Sequence, residues 1–291
     1  MRGREIGLAV LPPALWGVAY SIAKPAMDNF PPLFLGAIAY AVTAICLFRP
    51  FGERRTPLWA VVAAATLGAG IQSALIFNGI AMVPATTAVL VVQSQVPFAV
   101  LAAWAIGQER MNGRRIFGIV TALAGVALVV GMPEAVGEIR GLVLIVLGTL
   151  SWGIAQAIIR AKSRDPGGMM MGMMSLIAAP ELLVLSLFME TGQARSLLTA
   201  RPLDWVAVAI FALGGFVAAY TIWYSLLRRH RVDQIAPFIL LMPIFGVLTA
   251  SIVLKERPTP WVLVGGLVIM VGLLLVVRAP KDRIQAGIAN P

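Results

Sequence analysis

Ten apolar stretches alternate with short polar connectors along the whole chain. A helix needs about 20 apolar residues, with a range of about 17–25, to cross the hydrocarbon core of a bilayer. The pattern therefore predicts an all-α integral membrane protein with ten transmembrane helices, and the connectors are too short to hold a soluble domain. The predicted helices cover residues 5–24, 31–49, 57–81, 84–106, 115–131, 139–160, 169–189, 203–227, 232–254 and 260–278.

The chain carries the same short motifs twice, in the same order. Trp16-Gly17 followed by Lys24 recurs 136 residues later as Trp152-Gly153 followed by Arg160. Further motifs recur 146 or 147 residues apart: Leu67-Gly68 as Leu213-Gly214, Pro97 as Pro243, Glu109-Arg110 as Glu256-Arg257, Gly118 and Gly125 as Gly265 and Gly272, and Val129-Val130 as Val276-Val277. We therefore predict two five-helix repeats, residues 1–132 and 139–279, followed by a cytoplasmic tail, 280–291.

Composition and charge agree with a membrane protein and give an orientation. The chain is 59% hydrophobic and 12% charged, whereas soluble domains are about 45–50% apolar and about 25% charged. The net charge of +10 resides in short connectors rather than on a continuous basic face, which argues against nucleic acid. On one side of the predicted topology lie 17 of the 23 Lys and Arg residues. The positive-inside rule then predicts that both termini are cytoplasmic.

Each repeat has an odd number of helices, so the second repeat must enter the membrane from the side opposite to the first. The duplication is therefore an inverted repeat, an arrangement that many secondary transporters use to alternate between two conformations. The small residues of the fifth and tenth predicted helices, Gly118 with Gly125 and Gly265 with Gly272, mark close packing. That packing joins either the two halves of one chain or two protomers of a homo-oligomer.

The ordered motifs carry a resemblance to a known family. These are Trp-Gly in the first helix of each half, Pro before an apolar run ending in Glu-Arg, and Gly-x6-Gly in the last helix. Over residues 6–278 the chain resembles the drug/metabolite transporter superfamily, in its ten-span EamA-like branch. Within that branch it looks most like the YddG-type exporters of aromatic and other neutral amino acids. One departure is the Pro-to-Glu spacing, which is 12 residues in the first copy and 13 in the second.

Uncharged polar and aromatic residues within the helices are the candidate substrate site. Amides are costly in lipid unless they face protein or water, and amides with aromatics suit a neutral or zwitterionic ligand that has an apolar side chain. Taken singly, each residue is explained by helix–helix hydrogen bonds or an interfacial aromatic belt. As a set they favour one central cavity, lined by Trp16, Tyr20, Gln72, Asn78, Gln93, Gln95, Trp152, Gln156, Tyr220 and Tyr224.

Four further residues are singled out by their position. Pro97 and Pro243 lie at matched places inside two helices, where proline removes a backbone hydrogen bond, and are read as hinges or as static kinks. Glu181 is the one acidic residue deep in an apolar stretch, and is read as a proton-coupling group or as a neutral packed carboxyl. Lys24 is read as a contact for a substrate carboxylate or as a snorkelling anchor.

No pattern in the sequence indicates catalysis. The one histidine, His230, lies in a basic connector, no phosphate-binding loop is present, and no cluster of His, Cys and carboxylates fits a metal. The lone Cys46 is expected to be a small buried apolar residue. We therefore expect no enzyme activity, no cofactor and no metal.

The functional prediction follows from the repeat, the candidate cavity and the resemblance. It is a secondary transporter in the bacterial inner membrane, surrounded by lipid, that exports a small-molecule substrate, namely aromatic and other hydrophobic amino acids, by alternating access. Exporters of another solute, such as a drug or a nucleotide sugar, remain alternatives, as does a membrane protein that transports nothing.

Overall fold

The computed structural model describes residues 3–48, 54–108, 110–131, 137–230 and 232–278. Within these ranges every regular element is helical, and ten helices follow the predicted apolar stretches, which confirms the fold class. Nine are long and apolar enough to cross a membrane, and α2 is shorter. The ten are α1 Gly3–Ala26, α2 Pro32–Leu47, α3 Leu58–Met82, α4 Ala85–Ala105, α5 Gly113–Val130, α6 Ile139–Lys162, α7 Gly167–Met189, α8 Pro202–Leu227, α9 Ala236–Val253 and α10 Pro260–Val277.

The packing of the helices follows the repeat. Helix α1 of the first half packs on α9 of the second, and its counterpart α6 packs in the same way on α4. Helices α2 and α7, which correspond to each other, form one pair, and α5 and α10 form another. Each helix of one half thus packs on a helix of the other half, and its counterpart makes the equivalent contact in return. A twofold relation between two inverted halves requires this arrangement. The face where α1 begins and α10 ends is called the N-terminal face below, and the other is the opposite face.

The Trp-Gly motif explains the closest of these contacts. A Cβ atom on Gly17 would lie 2.7 Å from the backbone nitrogen of Gly246 in α9. A Cβ atom on Gly153 would lie 2.8 Å from the backbone nitrogen of Ala99 in α4. Glycine is therefore required at both places because the backbones of two helices touch.

Two helices that correspond in the repeat contain a π-helical segment at about their middle. In α3 the segment is Thr66–Ile71, and in α8 it is Ile210–Ala218. A π-helical turn holds one more residue than an α-helical turn, which rotates the residues that follow and is common at functional sites. Residues of both segments reach the interior of the bundle, where they line one cavity.

Helices α4 and α9 each contain 3₁₀ turns before the matched proline. The 3₁₀ segment Val92–Ser94 precedes Pro97, and the segment Ala236–Leu241 precedes Pro243. A proline lacks the N–H that would bond to the carbonyl four residues earlier, so the helix there departs from α geometry. Both prolines therefore lie beside a local break in their helix, and a hinge role for them remains a prediction.

The interior is packed on one side and hollow on the other. A core of fully buried apolar side chains, such as Phe30, Ile80 and Leu142, fills the half of the bundle nearer the opposite face. The expectation for Cys46 was wrong, since it is exposed in the last turn of α2. Glu109 and the tail 280–291 lie outside the described residues.

Candidate functional site

A cavity of about 230 Å³ lies in the centre of the bundle, between the two halves. Residues of α1–α4 and of α6–α9 line it. On the N-terminal face the lining includes Leu227, at the end of α8. Toward the opposite face it ends at Tyr20, six residues before the end of α1, and at Phe77, five residues before the end of α3. The cavity thus occupies the half of the bundle that is nearer the N-terminal face.

The structure brings eight of the ten candidate substrate residues together at this cavity. They come from five helices and from both repeats, as the sequence suggested for the set. The eight are Trp16, Tyr20, Gln72, Gln95, Trp152, Gln156, Tyr220 and Tyr224. Whether they bind the substrate stays a prediction.

Asn78 and Gln93 are not among the residues that line the cavity, so the structure does not bring these two together with the other eight. The Nδ2 atom of Asn78 donates to the carbonyl of Ala74 in its own helix at 2.8 Å, so the amide is satisfied without a cavity. Gln93 is fully buried in the 3₁₀ turn of α4, and neither its Nε2 nor its Oε1 has a hydrogen-bond partner among the described residues. The sequence showed that both amides are costly in lipid, but not that one would bond within its own helix and the other would be buried away from the cavity lining.

One wall of the cavity is a group of packed aromatic rings. The ring of Trp16 meets the edge of Tyr220 at a centroid distance of 5.2 Å and that of Trp223 at 5.6 Å, and the rings of Tyr220 and Tyr224 are 5.8 Å apart. Such offset and edge-to-face pairs stabilise each other. Tyr220 lies four residues after Phe216 in α8, and Trp223 and Tyr224 lie three and four residues after Tyr220. This spacing places the four rings toward one side of the helix.

Hydroxyl and amide groups line the same cavity. The hydroxyl groups of Tyr40 and Ser73 are 2.9 Å apart, and the Ser73 hydroxyl also donates to Oε1 of Gln72 at 3.0 Å. These bonds fix the orientation of the Gln72 amide, because its oxygen is already engaged. Of the described residues that line the cavity, none carries a charge. The site is therefore polar and aromatic but electrically neutral.

The non-α segments place several of these groups. Gly68 and Ala69 of the first π-helix line the cavity, and so do Phe211, Gly215 and Phe216 of the second. The Leu67 carbonyl within the first π-helix accepts a hydrogen bond from the Ser151 hydroxyl at 2.7 Å, so this irregular backbone is satisfied by protein. Irregular segments of two corresponding helices thus contribute directly to the cavity lining.

Tyr40 is a lining residue that the sequence analysis missed. It lies in α2, which carries none of the repeated motifs. The chain has four tyrosines in all, and all four line this one cavity. The scarcity of tyrosine in so long an apolar sequence was a signal that could have been used.

Glu181 lies apart from the cavity, in a groove between α3 and α7. Its Oε1 accepts a hydrogen bond from the Thr66 hydroxyl at 2.6 Å, and its Oε2 is buried without a partner among the described residues. Thr66 belongs to the same π-helix whose Gly68 and Ala69 line the cavity. A coupling role for Glu181 remains a prediction.

Lys24 contacts a carboxylate of the protein itself, away from the cavity. Its Nζ lies 3.3 Å from Oε1 of Glu256, in the connector between α9 and α10. Burial alone would raise the pKa of the Glu256 carboxyl, but hydrogen bonds from the backbone N–H groups of Thr86 and Ala85, and then the charge of Lys24, outweigh it and hold that pKa below its ordinary value. Lys24 therefore has a carboxylate partner within the protein, and its contact with a substrate carboxylate remains a prediction.

Comparison with known proteins agrees with this architecture. The chain is 28% identical over 279 residues to a protein of Escherichia coli strain K12 named "Probable amino-acid metabolite efflux pump", covering 92% of this chain and 93% of that protein. A protein of the same name from Salmonella typhimurium strain LT2 is also 28% identical and covers 97% and 98% of the two chains. The E. coli K12 protein "Uncharacterized inner membrane transporter YedA" is 25% identical, covering 81% of this chain and 78% of its own.

A solved crystal structure shares the fold at a sequence identity of only 18%. It superposes with a TM-score of 0.66 and covers 95% of this chain and 98% of its own chain. The description of the EamA-like transporter family matches residues 3–131 and again residues 139–278, once for each half. The chain is therefore a multi-pass membrane protein that belongs to the EamA-like transporter family.

Proposed function

We propose that this protein exports amino acids with aromatic or other apolar side chains across the bacterial inner membrane. The observation that carries the proposal is the neutral cavity between the two halves, whose lining combines aromatic rings with amides and hydroxyls. Rings stack with an aromatic side chain, and donors and acceptors suit the polar end of a zwitterion. The names of the relatives, which refer to amino-acid metabolite efflux, support the same class.

The proposed orientation places the N-terminal face in the cytoplasm. It rests on the distribution of 17 of 23 basic residues to that side of the topology. With this orientation the cavity lies in the cytoplasmic half of the bundle, which is where an exporter loads its substrate. A reporter fused after Pro291 should be active only in the cytoplasm. Activity on the outer face alone would reverse the orientation.

The alternatives fit the cavity less well. A cationic drug calls for a carboxylate in the site, but Glu181 lies in a separate groove between α3 and α7. A nucleotide sugar calls for cations that pair with phosphate, and no described lining residue is basic. A membrane protein without transport activity leaves unexplained a cavity that gathers all four tyrosines of the chain.

Counterflow in proteoliposomes tests the proposal directly. Purified protein is reconstituted with unlabelled phenylalanine inside, and uptake of radiolabelled phenylalanine, methionine, threonine, lysine and glutamate is compared. We expect uptake of phenylalanine above the charged amino acids. The variant Phe216→Leu removes a ring from the cavity, and the matched control Phe188→Leu removes a ring that is 86% exposed at the end of α7. Only the first should lower uptake, and no uptake of any neutral amino acid would refute the proposed substrate class.

A further inference from the structure

The half of the bundle between the cavity and the opposite face is packed closed. Ala23, Phe30 and Val83 are buried there within the main apolar core. A solute that leaves the cavity toward the opposite face must pass through this packed region. The region must therefore be held closed in one conformation and released in another, because packed interfaces switch between discrete arrangements rather than deform continuously.

A polar cluster at the opposite face lies directly beyond the packed region. Oε1 and Oε2 of Glu256 accept hydrogen bonds from the backbone N–H groups of Ala85 and Thr86, each at 2.9 Å. These N–H groups begin α4, and the first donors of a helix have no partner within it and carry partial positive charge. The carboxylate of Glu256, in the second repeat, thus caps the N-terminus of α4, in the first repeat.

Lys24, near the end of α1, contacts the same cluster. Its Nζ donates to the carbonyl oxygen of Val83, between α3 and α4, and to Oε1 of Glu256 at 3.3 Å. The side chains of Lys24 and Glu256 are only 28% and 17% exposed. Water and salt therefore screen this pair less than a pair on the surface. The end of α1 and the start of α4 are held together through one residue of the other half.

The backbone beside Glu256 is strained. Lys255 has a φ of 56°, and within the described part of the chain no other residue except glycine has a positive φ. A residue with a side chain is rare in this conformation and needs surrounding contacts to hold it. The hydrogen bond from the Glu256 N–H to the Ala250 carbonyl at 3.3 Å, which closes the last turn of α9, is such a contact. The position of Glu256 is therefore set by the end of its own helix.

We propose that Lys24, Glu256 and the first turn of α4 form a gate that holds the opposite face closed. While Glu256 is bound to Ala85 and Thr86, the cavity communicates with the N-terminal face. When Glu256 leaves α4, the packed region opens and the cavity is reached from the opposite face. The inference rests on the transport function proposed above, but it concerns the conformation of the protein and does not depend on which solute is carried.

Labelling of a single cysteine in the cavity measures the position of this gate. Cys46 is replaced by Ala, and Val96, a partly buried residue of the cavity lining, is replaced by Cys. A membrane-impermeant maleimide is then added to one side of the membrane at a time. We expect Lys24→Met and Glu256→Gln each to raise the labelling rate from the opposite face by about fivefold and to lower it from the N-terminal face. Lys24→Arg keeps the charge and should keep the original rates.

Glu190 provides a matched control at the same face. Its carboxylate accepts hydrogen bonds from the backbone N–H groups of Leu33 and Phe34 at 2.9 and 3.2 Å, so it caps α2 as Glu256 caps α4. The hydrogen bonds of Glu190 connect α7 with α2 and do not involve α1 or α4. Glu190→Gln should therefore leave the labelling rates from both faces unchanged.

Three results would overturn the proposed gate. They are unchanged labelling in both Lys24→Met and Glu256→Gln, an equal effect of Glu190→Gln, or faster labelling from both faces at once, which indicates general loosening. Labelling needs no transported solute, so it separates this inference from the proposed function. If the labelling shifts as expected but no amino acid is taken up in counterflow, the gate stands and the proposed substrate falls.

Discussion

Gly118 in α5 and Gly272 in α10 face each other across the contact between the two repeats, with no room for a side chain on either. A Cβ atom on Gly118 would lie 2.9 Å from the carbonyl oxygen of Gly272, and one on Gly272 would lie 2.7 Å from the carbonyl oxygen of Gly118. The glycines that the sequence marked as a packing face therefore join the two halves of one chain. A homo-oligomer remains a prediction that this contact does not address.

Alanine at Gly118 should destabilise the protein by about 1–3 kcal/mol, because the added methyl group meets backbone atoms that cannot move aside independently. Gly113 starts the same helix and has open space around it. Gly113→Ala should therefore be neutral or slightly stabilising, since alanine favours helix over glycine. Thermal unfolding in detergent measures both variants, and equal melting temperatures would argue against the close contact.

Tyr220 should matter through its ring rather than its hydroxyl. The ring contacts those of Trp16 and Tyr224 at the cavity wall, and no hydrogen bond of the hydroxyl is recorded among the described residues. We expect Tyr220→Phe to keep most phenylalanine counterflow, and Tyr220→Leu to lower it by about tenfold, as for loss of a ring contact of about 1–1.5 kcal/mol. Similar loss in both variants would assign the role to the hydroxyl instead.

The Thr66 hydroxyl should stabilise the protein through Glu181. Thr66→Val keeps the shape of the side chain but removes the 2.6 Å hydrogen bond to the carboxyl group. The free energy of unfolding should fall by about 1–3 kcal/mol, the cost of a buried polar group that loses its partner. In the background Glu181→Leu the same change should cost little, because no carboxyl is left to satisfy. Equal costs in the two backgrounds would mean that the two residues are not coupled.

The stabilisation that Glu256 provides should decrease at acidic pH. Its folded pKa is held below the ordinary value, because the hydrogen bonds from Thr86 and Ala85, with the charge of Lys24, outweigh the effect of burial. The stabilisation is therefore complete above the unfolded pKa of about 4.3 and is lost as pH falls through the folded pKa. The difference in melting temperature between the wild type and Glu256→Gln should be constant near neutral pH and shrink below about pH 4.3.

Glu138 lies near the same charges and must be removed from that measurement. Burial raises the pKa of its carboxyl, while the charge of Lys24 acts against this shift and that of Glu256 adds to it. Glu138 would therefore titrate in a neighbouring pH range. Both proteins should carry Glu138→Gln. A difference that grows toward acid pH would contradict the direction predicted for Glu256.

Pro97 should affect the rate of transport if it acts as a hinge. It lies just after the 3₁₀ turn Val92–Ser94 of α4, so Pro97→Ala restores an N–H that can extend regular helix through the break. We expect slower counterflow with little change in substrate affinity. Pro180 lies inside α7, which is a continuous α-helix, and Pro180→Ala serves as the control. Unchanged counterflow in Pro97→Ala would leave this proline as a static kink.

Much of the architecture was predictable because the bilayer imposes it on the sequence. A spanning helix must be apolar over its full length, so the ten stretches could be read directly, and the structure follows them closely. The repeat was visible because residues such as Gly17 and Gly153 are required where two backbones touch. Eight of the polar and aromatic cavity residues could also be proposed, since amides and tyrosines are rare within apolar helices.

Only the tertiary structure decided which polar groups meet. Asn78 and Gln93 look the same in the sequence as Gln72 and Gln95, but in the structure they are not among the residues that line the cavity. The two π-helical segments contain the repeated Leu67-Gly68 and Leu213-Gly214 motifs, but the departure from α-helical geometry is visible only in the structure.

The pairing of Lys24 with Glu256 was likewise decided by the tertiary structure, although the sequence determined where each residue lies along its helix or connector. The sequence determined that each residue lies at the end of a helix or in a connector, because charge is excluded from the lipid core. Their contact spans 232 positions of the chain and both repeats, and no helical periodicity carries information over that distance. It exists because the inverted halves interlock, bringing the α9–α10 connector over the start of α4.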